Sequence, residues 1–287
     1  MKKIAVFLEN KEPNVLSNVG LELLSEVKRI VTSTDIEIHA LWLGAKLDDD
    51  IISKVASVGA NKLIAVENSL LEDYDTIKYA CNLAYINNQE KYDILLIGSS
   101  LIGRDLGPRL SAKLRTGLTA DATSLEVEET EEKISLLATR PALGGNIFAT
   151  IICPKTLPQM ATIRPGVFKI DDTKHFDTLV VKYPYFVVAD NRVKIVSKAC
   201  KVGSNVDLTK AKLIISGGRG VASNFDKIIE LASLLEVDYA SSRALVDTKV
   251  SSKEHQVGQT GVTVAPKIYL SFGISGAIQH LAGMDKS

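Results

Sequence analysis

Histidine, cysteine and tryptophan are scarce: four, three and one in 287 residues. Cys81, Cys153 and Cys200 stand far apart, without metal-type spacing, and an odd, scattered set of thiols suits a reducing compartment better than a disulfide framework. His39, His175 and His255 have no acidic or cysteine partner at ligand spacing, which argues against a metal centre. No Ser-His-Asp or Cys-His arrangement can be assembled from the chain. Charge excess is lacking too. The 34 Lys+Arg balance 34 Asp+Glu, so there is no electrostatic footprint for nucleic acid or an acidic membrane surface. No apolar run is long enough to span a bilayer. The opening MKKIAVFLEN places two lysines before apolar residues, as a signal peptide does. Its apolar run stops at Glu9, however, and reads instead as a buried first strand. Internal repeats, low-complexity segments and heptads are missing. These absences lead us to expect a cytoplasmic protein with no stable membrane insertion.

What is present is apolar content, 46% of residues, in a chain long enough for two domains. Residues 4–8 read as a central strand, followed by Val15, Val19, Leu23, Leu24, Val27 and Ile30 at helical spacing. IEIHALWL (36–43) is a second strand, with Trp42 in the core. A short helix over 50–58 and a strand over 62–66 come next. Tyr74, Ile77, Ala80, Cys81 and Ala84 then mark a helix, and DILLIG (93–98) is a fourth strand. Such β-α-β-α alternation predicts a parallel sheet with helices on both faces. GSSLIGRDLGPRL leads into a helix around Asp105–Leu114, and Gly103, Arg104 and Asp105 could form a phosphate loop. Short β-like runs at 124–128, 133–139, 147–152, 158–163 and 178–182 predict an antiparallel or mixed extension. A further strand is expected at 193–200. The polar KVGSNVDLTK puts a boundary near 205, dividing the chain into 1–205 and 206–287.

The second part carries the candidate site. LIIS (213–216) is followed by GGRG (217–220) and a helix from Ser223, with Ser223 and Asp226 resembling a capping box. Ile268, Tyr269, Leu270 and Phe272 read as a buried parallel strand, after which Ser275 stands where a helix N-cap would. Two strand–glycine–helix units on one sheet would bring both helix N-termini to the carboxyl edge, where backbone N–H groups bind phosphate. GGRG is neither a Walker loop nor the full G-x-G-x-x-G pattern, and a tight turn explains it equally well. Arg219 tips the reading toward an anion. Taken alone, SSRA (241–244) is a capped helix start, GQTG (258–261) a polar turn, and His280 a structural helical histidine. Gln259 and Thr260 could hydrogen-bond the edge of a heteroaromatic ring.

With these residues laid out, the sequence resembles the alpha subunit of electron transfer flavoproteins. The resemblance is carried by LLIGSSLIGRDLGPRLSAKLRTGLTADATSLEV (95–127), TRPALGGNIFATIICP (139–154), PQMATIRPGVF (158–168), SGGRG, SSRALVD, QVGQTG and GISGAIQHLAGM, in that order. It implies an α/β chain: an N-terminal nucleotide-binding-like parallel-sheet domain with a β-rich extension, then an incomplete doubly wound (Rossmann-like) FAD-binding domain. It also implies an electron carrier rather than an enzyme. The chain would pair with an electron transfer flavoprotein beta subunit as a heterodimer, with acyl-CoA or other dehydrogenases as donors and a quinone reductase or other acceptor downstream. Some members take part in electron bifurcation instead.

By the same resemblance the FAD-binding residues are Arg219, Ser242, Arg243, Val257, Gly258, Gln259, Thr260, Ser275, Gly276, Ala277, Ile278, Gln279 and His280. Thr260 would lie near flavin N5, Arg243 against the ring and His280 near O2. The helix from Ser275 would serve the cofactor's polar linker, while the first domain would be structural. Members continue beyond HLAGM into elements that contact the adenosine half of FAD, so a chain ending at Ser287 resembles a C-terminally shortened member. An open sheet edge beside strand 267–272 is then expected. Two other readings stay open here: a non-redox scaffold that pairs with a beta-type partner without FAD, and, by fold analogy, a thiamine-enzyme-like nucleotide domain.

Overall fold

The computed structural model describes residues 1–31, 33–142, 147–173, 176–190, 192–193, 195–197, 207–285 and 287. They fall into two compact units, one up to residue 194 and one from residue 195. The expected boundary near 205 and part of the expected strand 193–200 lie outside the described residues, and 193 and 195–197 belong to no strand.

In the first unit β1 (Lys2–Leu8) is followed by a small hairpin, β2 (Asn10–Glu12) and β3 (Val15–Leu16). Then come α1 (Asn18–Ile30), β4 (Ile36–Gly44), α2 (Asp49–Ser57), β5 (Lys62–Glu67), α3 (Thr76–Glu90), β6 (Ile94–Gly98) and α4 (Leu101–Leu114). The remaining strands are β7 (Leu118–Ala122), β8 (Ser124–Glu129), β9 (Ile134–Ala142), β10 (Ile147–Ile151), β11 (Gln159–Ile163) and β12 (Leu179–Tyr183). Seven strands form one parallel sheet in the order β12-β5-β4-β1-β6-β11-β7.

The alternation along β1 shows why the sheet is covered twice. Ile4, Val6 and Leu8 pack with Leu23, Leu24, Ile51 and Val55 of α1 and α2. Ala5 and Phe7 face Leu83, Leu106 and Leu110 of α3 and α4. Each fully buried large side chain contributes about 1.5–3 kcal/mol through removal of apolar surface from water. Side-chain caps fix the helix starts: Asp48 accepts from the Ile51 N–H at 3.0 Å, and Ser100 Oγ from the Gly103 N–H at 3.0 Å.

Several expectations are corrected here. Val15 lies in the hairpin strand β3 rather than in α1, because the chain turns back at Asn14, whose φ is +63°. The helix expected around Asp105 begins at Leu101, since Ser100 supplies its cap. Of the five β-like runs, only three make the antiparallel sheet β10-β9-β8. The runs at 158–163 and 178–182 join the parallel sheet as β11 and the edge strand β12. β11 is buried along its whole length, as a central strand must be. The Gln159 side chain then ties the two sheets, accepting from the Leu136 N–H at 2.9 Å and donating to the Ile134 carbonyl at 2.8 Å.

The second unit contains β13 (Leu213–Gly217), a 3₁₀ turn over Arg219–Asn224, α5 (Phe225–Leu234), β14 (Asp238–Ser241), α6 (Arg243–Asp247), β15 (Ile268–Phe272) and α7 (Ile278–Leu281). Its three strands are parallel, with β13 in the centre. Ile214 and Ala240 pack with Leu208, Val257 and Val264 on one face, and Ile215 with Phe225, Ile228 and Leu245 on the other. β15 pairs along its full length with β13, but among the described residues no strand pairs with its other edge. Ile268, Leu270 and Phe272 are consequently 54%, 40% and 38% exposed, and the buried strand expected there is exposed except at Tyr269.

Candidate functional site

The register of the small sheet brings three turns together. Gly217 stands opposite Ser241 on one side and Phe272 on the other, so all three strands end at one level. The turns that follow interlock through backbone. The Gly218 N–H donates to the Phe272 carbonyl at 2.8 Å, the Gly220 N–H to the Gly273 carbonyl at 3.0 Å, and the Ser242 N–H to the Gly217 carbonyl at 3.0 Å. A side chain at Gly218 would put its Cβ 2.3 Å from the Gly273 oxygen, and Gly273 itself sits at φ +61°. The glycines of GGRG and FGIS therefore exist to let two turns touch.

The QVGQTG segment closes the other side. The Val257 N–H donates to the Ser241 carbonyl at 3.0 Å, continuing from the end of β14, and the Val262 N–H returns to the Gln256 carbonyl at 2.7 Å. The Gln259 N–H donates to the Gln279 carbonyl at 2.7 Å, fastening this loop to α7. The Gln256 side-chain amide donates to Thr260 Oγ1 at 2.9 Å, which leaves the threonine O–H free to donate elsewhere.

The turns and the loop enclose a cavity of about 950 Å³, within the range of small-molecule and cofactor sites. All the residues expected to bind cofactor line it except Gly276 and Ile278. Gly276, at φ +72°, shapes the turn, while Ile278 is 48% exposed. The wall also contains Gly218, Gly220, Ala244, Asp247, Gln256, Gly273 and Ile274, which the sequence reading missed. Asp247 was findable: it stands four residues after Arg243 on α6 and pairs with it, Nε to Oδ2, at 3.5 Å. Arg219 has no ion pair among the described residues.

Two helix-based expectations are corrected. α7 has only four residues, with Ala277 rather than Ser275 at its start and no side-chain cap. The helix expected from Ser223 begins at Phe225, Asn224 precedes it, and no Ser223–Asp226 capping box forms. The 3₁₀ turn over Arg219–Asn224 sets α5 back from the cavity, and α7 is a single turn, so neither offers a helix dipole of any length. What is offered instead is turn backbone: the amides of Ser275, Gly276 and Ala277 donate to no protein acceptor among the described residues.

His280 is a buried polar group of the wall, 7% exposed. Its Nε2 lies 3.1 Å from the Tyr269 hydroxyl, and its Nδ1, also buried, completes no hydrogen bond. Burial lowers the imidazole pKa, partly offset by the nearby Val257 carbonyl, so the ring is neutral at neutral pH. Burial pushes the Tyr269 phenol up to about 12, partly offset by the Ser216 hydroxyl. Among the described residues no group of three or more His, Cys, Asp or Glu could hold a metal ion, and no helix is long and apolar enough to cross a membrane.

Comparison with known proteins gives the same picture over the whole chain. Residues 4–182 match the family model of the electron transfer flavoprotein domain, and residues 207–285 that of the electron transfer flavoprotein FAD-binding domain. The chain is 45% identical to the electron transfer flavoprotein subunit alpha of Clostridium acetobutylicum, across 100% of this chain and 86% of that protein. It is 44% identical to the protein FixB of Clostridium saccharobutylicum, across 100% and 85%. It is 36% identical to the acryloyl-CoA reductase electron transfer subunit beta of Anaerotignum propionicum, again across 100% and 85%.

Proposed function

The chain belongs to the electron transfer flavoprotein family, as a relative of its alpha subunits with an FAD-binding domain, and from that premise we propose how it carries electrons. The family's members are electron carriers rather than enzymes in their own right, and FAD is the cofactor. In our reading the chain pairs with a beta-type subunit in the cytoplasm. It takes electrons from CoA-ester or other dehydrogenases and passes them to a quinone reductase or another acceptor. One similar protein is named as an electron transfer subunit of acryloyl-CoA reductase, which supports a CoA-ester redox enzyme as electron partner.

The observation that carries this reading is the cavity at the carboxyl ends of β13, β14 and β15. Its donor set fits a flavin dinucleotide: two arginines, a threonine O–H left free by Gln256, a buried imidazole nitrogen without a partner, and unpaired turn amides. When bound, FAD supplies the electron-accepting ring. Arg219 and Arg243 then contribute positive charge that stabilises electrons added to it. Thr260, bonded to Gln256, and His280, bonded to Tyr269, would be the donors that hold the ring. The amides of Ser275, Gly276 and Ala277 receive the cofactor's polar linker. No residue acts as nucleophile or general base, which an electron carrier does not need.

The test is coexpression with the product of the neighbouring gene. We expect the two chains to copurify with a visible flavin absorbance that bleaches on reduction by a dehydrogenase and its substrate. A copurifying pair without flavin would refute the reading in favour of a non-redox scaffold.

A further inference from the structure

His280 is held from outside the cavity wall. Tyr269 projects from β15, the strand that precedes the FGIS turn, and its hydroxyl lies 3.1 Å from His280 Nε2, with the two rings edge to face at 5.9 Å. We propose that Tyr269 is a positioning residue: its phenol donates to Nε2 and so keeps the imidazole proton on Nδ1, making His280 a neutral N–H donor toward an acceptor atom of the flavin. The last clause rests on the FAD reading above; the tautomer itself does not.

A neutral imidazole has one N–H and a phenol one O–H, so their contact has two arrangements. Either the phenol donates to Nε2 and the ring proton sits on Nδ1, or Nε2–H donates to the phenol oxygen. In the second case the phenol proton must find another acceptor and Nδ1 is left as a buried bare lone pair. The Tyr269 hydroxyl's other polar neighbour is the Ser216 hydroxyl, which lowers the phenol pKa as a donor to its oxygen does, and so leaves the phenol proton for Nε2. The Val257 carbonyl, an acceptor that completes no hydrogen bond with Nδ1, also favours a ring N–H. Both neighbours select the first arrangement. Burial keeps the ring uncharged and the phenol protonated, so the arrangement holds across neutral pH. A donor with no protein acceptor, 7% exposed and in the cavity wall, is then available to the ligand.

The experiment reads the tautomer directly. The copurified complex is labelled with ¹⁵N-histidine, and long-range ¹H–¹⁵N spectra are recorded, His280 being assigned with His280→Gln. We expect the Nδ1–H pattern in wild type at neutral pH. In Tyr269→Phe we expect its loss toward the Nε2–H form that free histidine favours. A wild-type spectrum with the proton on Nε2 overturns the proposal, as does a Tyr269→Phe spectrum unchanged from wild type. The wild-type measurement does not depend on Tyr269→Phe, so poor folding of that variant cannot shield the idea.

A redox titration tests the flavin half. Tyr269→Phe should lower the flavin's reduction potential, yet have no further effect in a His280→Gln background, where the glutamine amide donates regardless of Tyr269. An equal effect in both backgrounds means that Tyr269 acts by packing alone and overturns the positioning role. A complex without flavin absorbance removes the cofactor reading while the spectra still decide the tautomer.

Discussion

Gly283 should be a sensitive backbone position beside the candidate site. Its φ lies outside the left-handed region, so alanine there meets no backbone strain, only a lack of space. A Cβ would stand 2.4 Å from the Gly258 nitrogen and 2.5 Å from the Gly258 Cα. These are backbone atoms of the QVGQTG loop and cannot rotate away. Gly283→Ala must therefore part the loop from α7. That strains the bond from the Gln259 N–H to the Gln279 carbonyl, 2.7 Å, and the bond from the Val264 N–H to the Gly283 carbonyl, 2.8 Å. Overpacking costs about 1–3 kcal/mol and each net hydrogen bond about 1 kcal/mol, so the closed loop should lose about 3–5 kcal/mol. If about 4 kcal/mol of this falls on the conformation that binds FAD, affinity drops by about a thousandfold. The control is Gly276→Ala. Gly276 sits at φ +72° with nothing within 4 Å of a built Cβ, so only the left-handed penalty applies, about 1–2 kcal/mol. FAD titration and thermal unfolding of both variants as complexes give the comparison. A Gly283→Ala complex with wild-type FAD affinity and melting temperature would refute the backbone contact between loop and helix on which the site is built.

Arg243→Ala should lower the flavin's reduction potential and Asp247→Asn should raise it, because the carboxylate partly cancels the arginine's charge at 3.5 Å. Both side chains are about two-thirds exposed, so each change should amount to about 1 kcal/mol or less; redox titration with flavin bound in each variant checks the opposite signs. Burial lowers the pKa of His280, so the folded state binds fewer protons than the unfolded one below the ordinary histidine value of about 6.5. The stability this group contributes is complete above that pH and is lost as the pH falls toward the depressed folded value, so His280→Gln should flatten the acid side of the melting-temperature profile. His39 behaves with the same sign in the first unit. Burial outweighs the hydrogen bond that the imidazole donates to Glu37 and lowers the pKa of His39, and His39→Gln should likewise reduce acid sensitivity. Trp42→Ala should destabilise the first unit by about 3–5 kcal/mol, measured by denaturant unfolding, since the indole is fully buried and its Nε1–H donates to Asn10 Oδ1 at 2.8 Å.

Hydrophobic periodicity made the first unit's alternating core legible, because strands and helices that bury a face must repeat apolar residues at period two or 3.6. β1, β4, β5 and β6 stand where that pattern puts them. It could not tell β11 from the antiparallel strands beside it. QMATI is a short apolar run among other short runs, and its place between β6 and β7 depends on a long-range pairing that no local signal records. In the second unit the strand–glycine order was legible, and so was the gathering of glycine turns at one edge. The helix starts were not. A glycine-rich stretch signals that backbone comes close to something, and here that something is another turn: Gly218 against Gly273, and Gly258 against Gly283. Tyr269 escaped notice because a tyrosine in an apolar strand reads as core. Only the return of α7 brings His280 to its hydroxyl.

The two carboxyl edges of this chain show how one architecture either closes or keeps a site. In the first unit the edge between β1 and β6 is the place where a doubly wound sheet receives a nucleotide. There the N-terminus of α4 is already served by the chain. Ser100 Oγ accepts from the Gly103 N–H and its hydroxyl donates to the carboxylate of Glu9, whose pKa burial raises. Arg104 donates from Nε to the Ser99 carbonyl at 3.0 Å and faces Asp121 at 3.6 Å, while Asp105 accepts from the Tyr74 hydroxyl at 2.8 Å. Gly103 admits no Cβ because the Gly98 oxygen would lie 1.7 Å away, so its glycine serves helix-to-strand packing. The groups that the sequence suggested for a phosphate loop, the Gly103 amide, the Arg104 guanidinium and the Asp105 carboxylate, each have a protein partner. At the second edge the amides of Ser275 to Ala277, the Arg219 guanidinium and His280 Nδ1 have none among the described residues. A buried polar group without a partner is costly unless a ligand completes it, which here applies to His280 Nδ1; Arg219 and Ser275 to Ala277 are exposed and stand ready for a ligand without that cost. This contrast supports the reading proposed above, in which the second unit holds the cofactor.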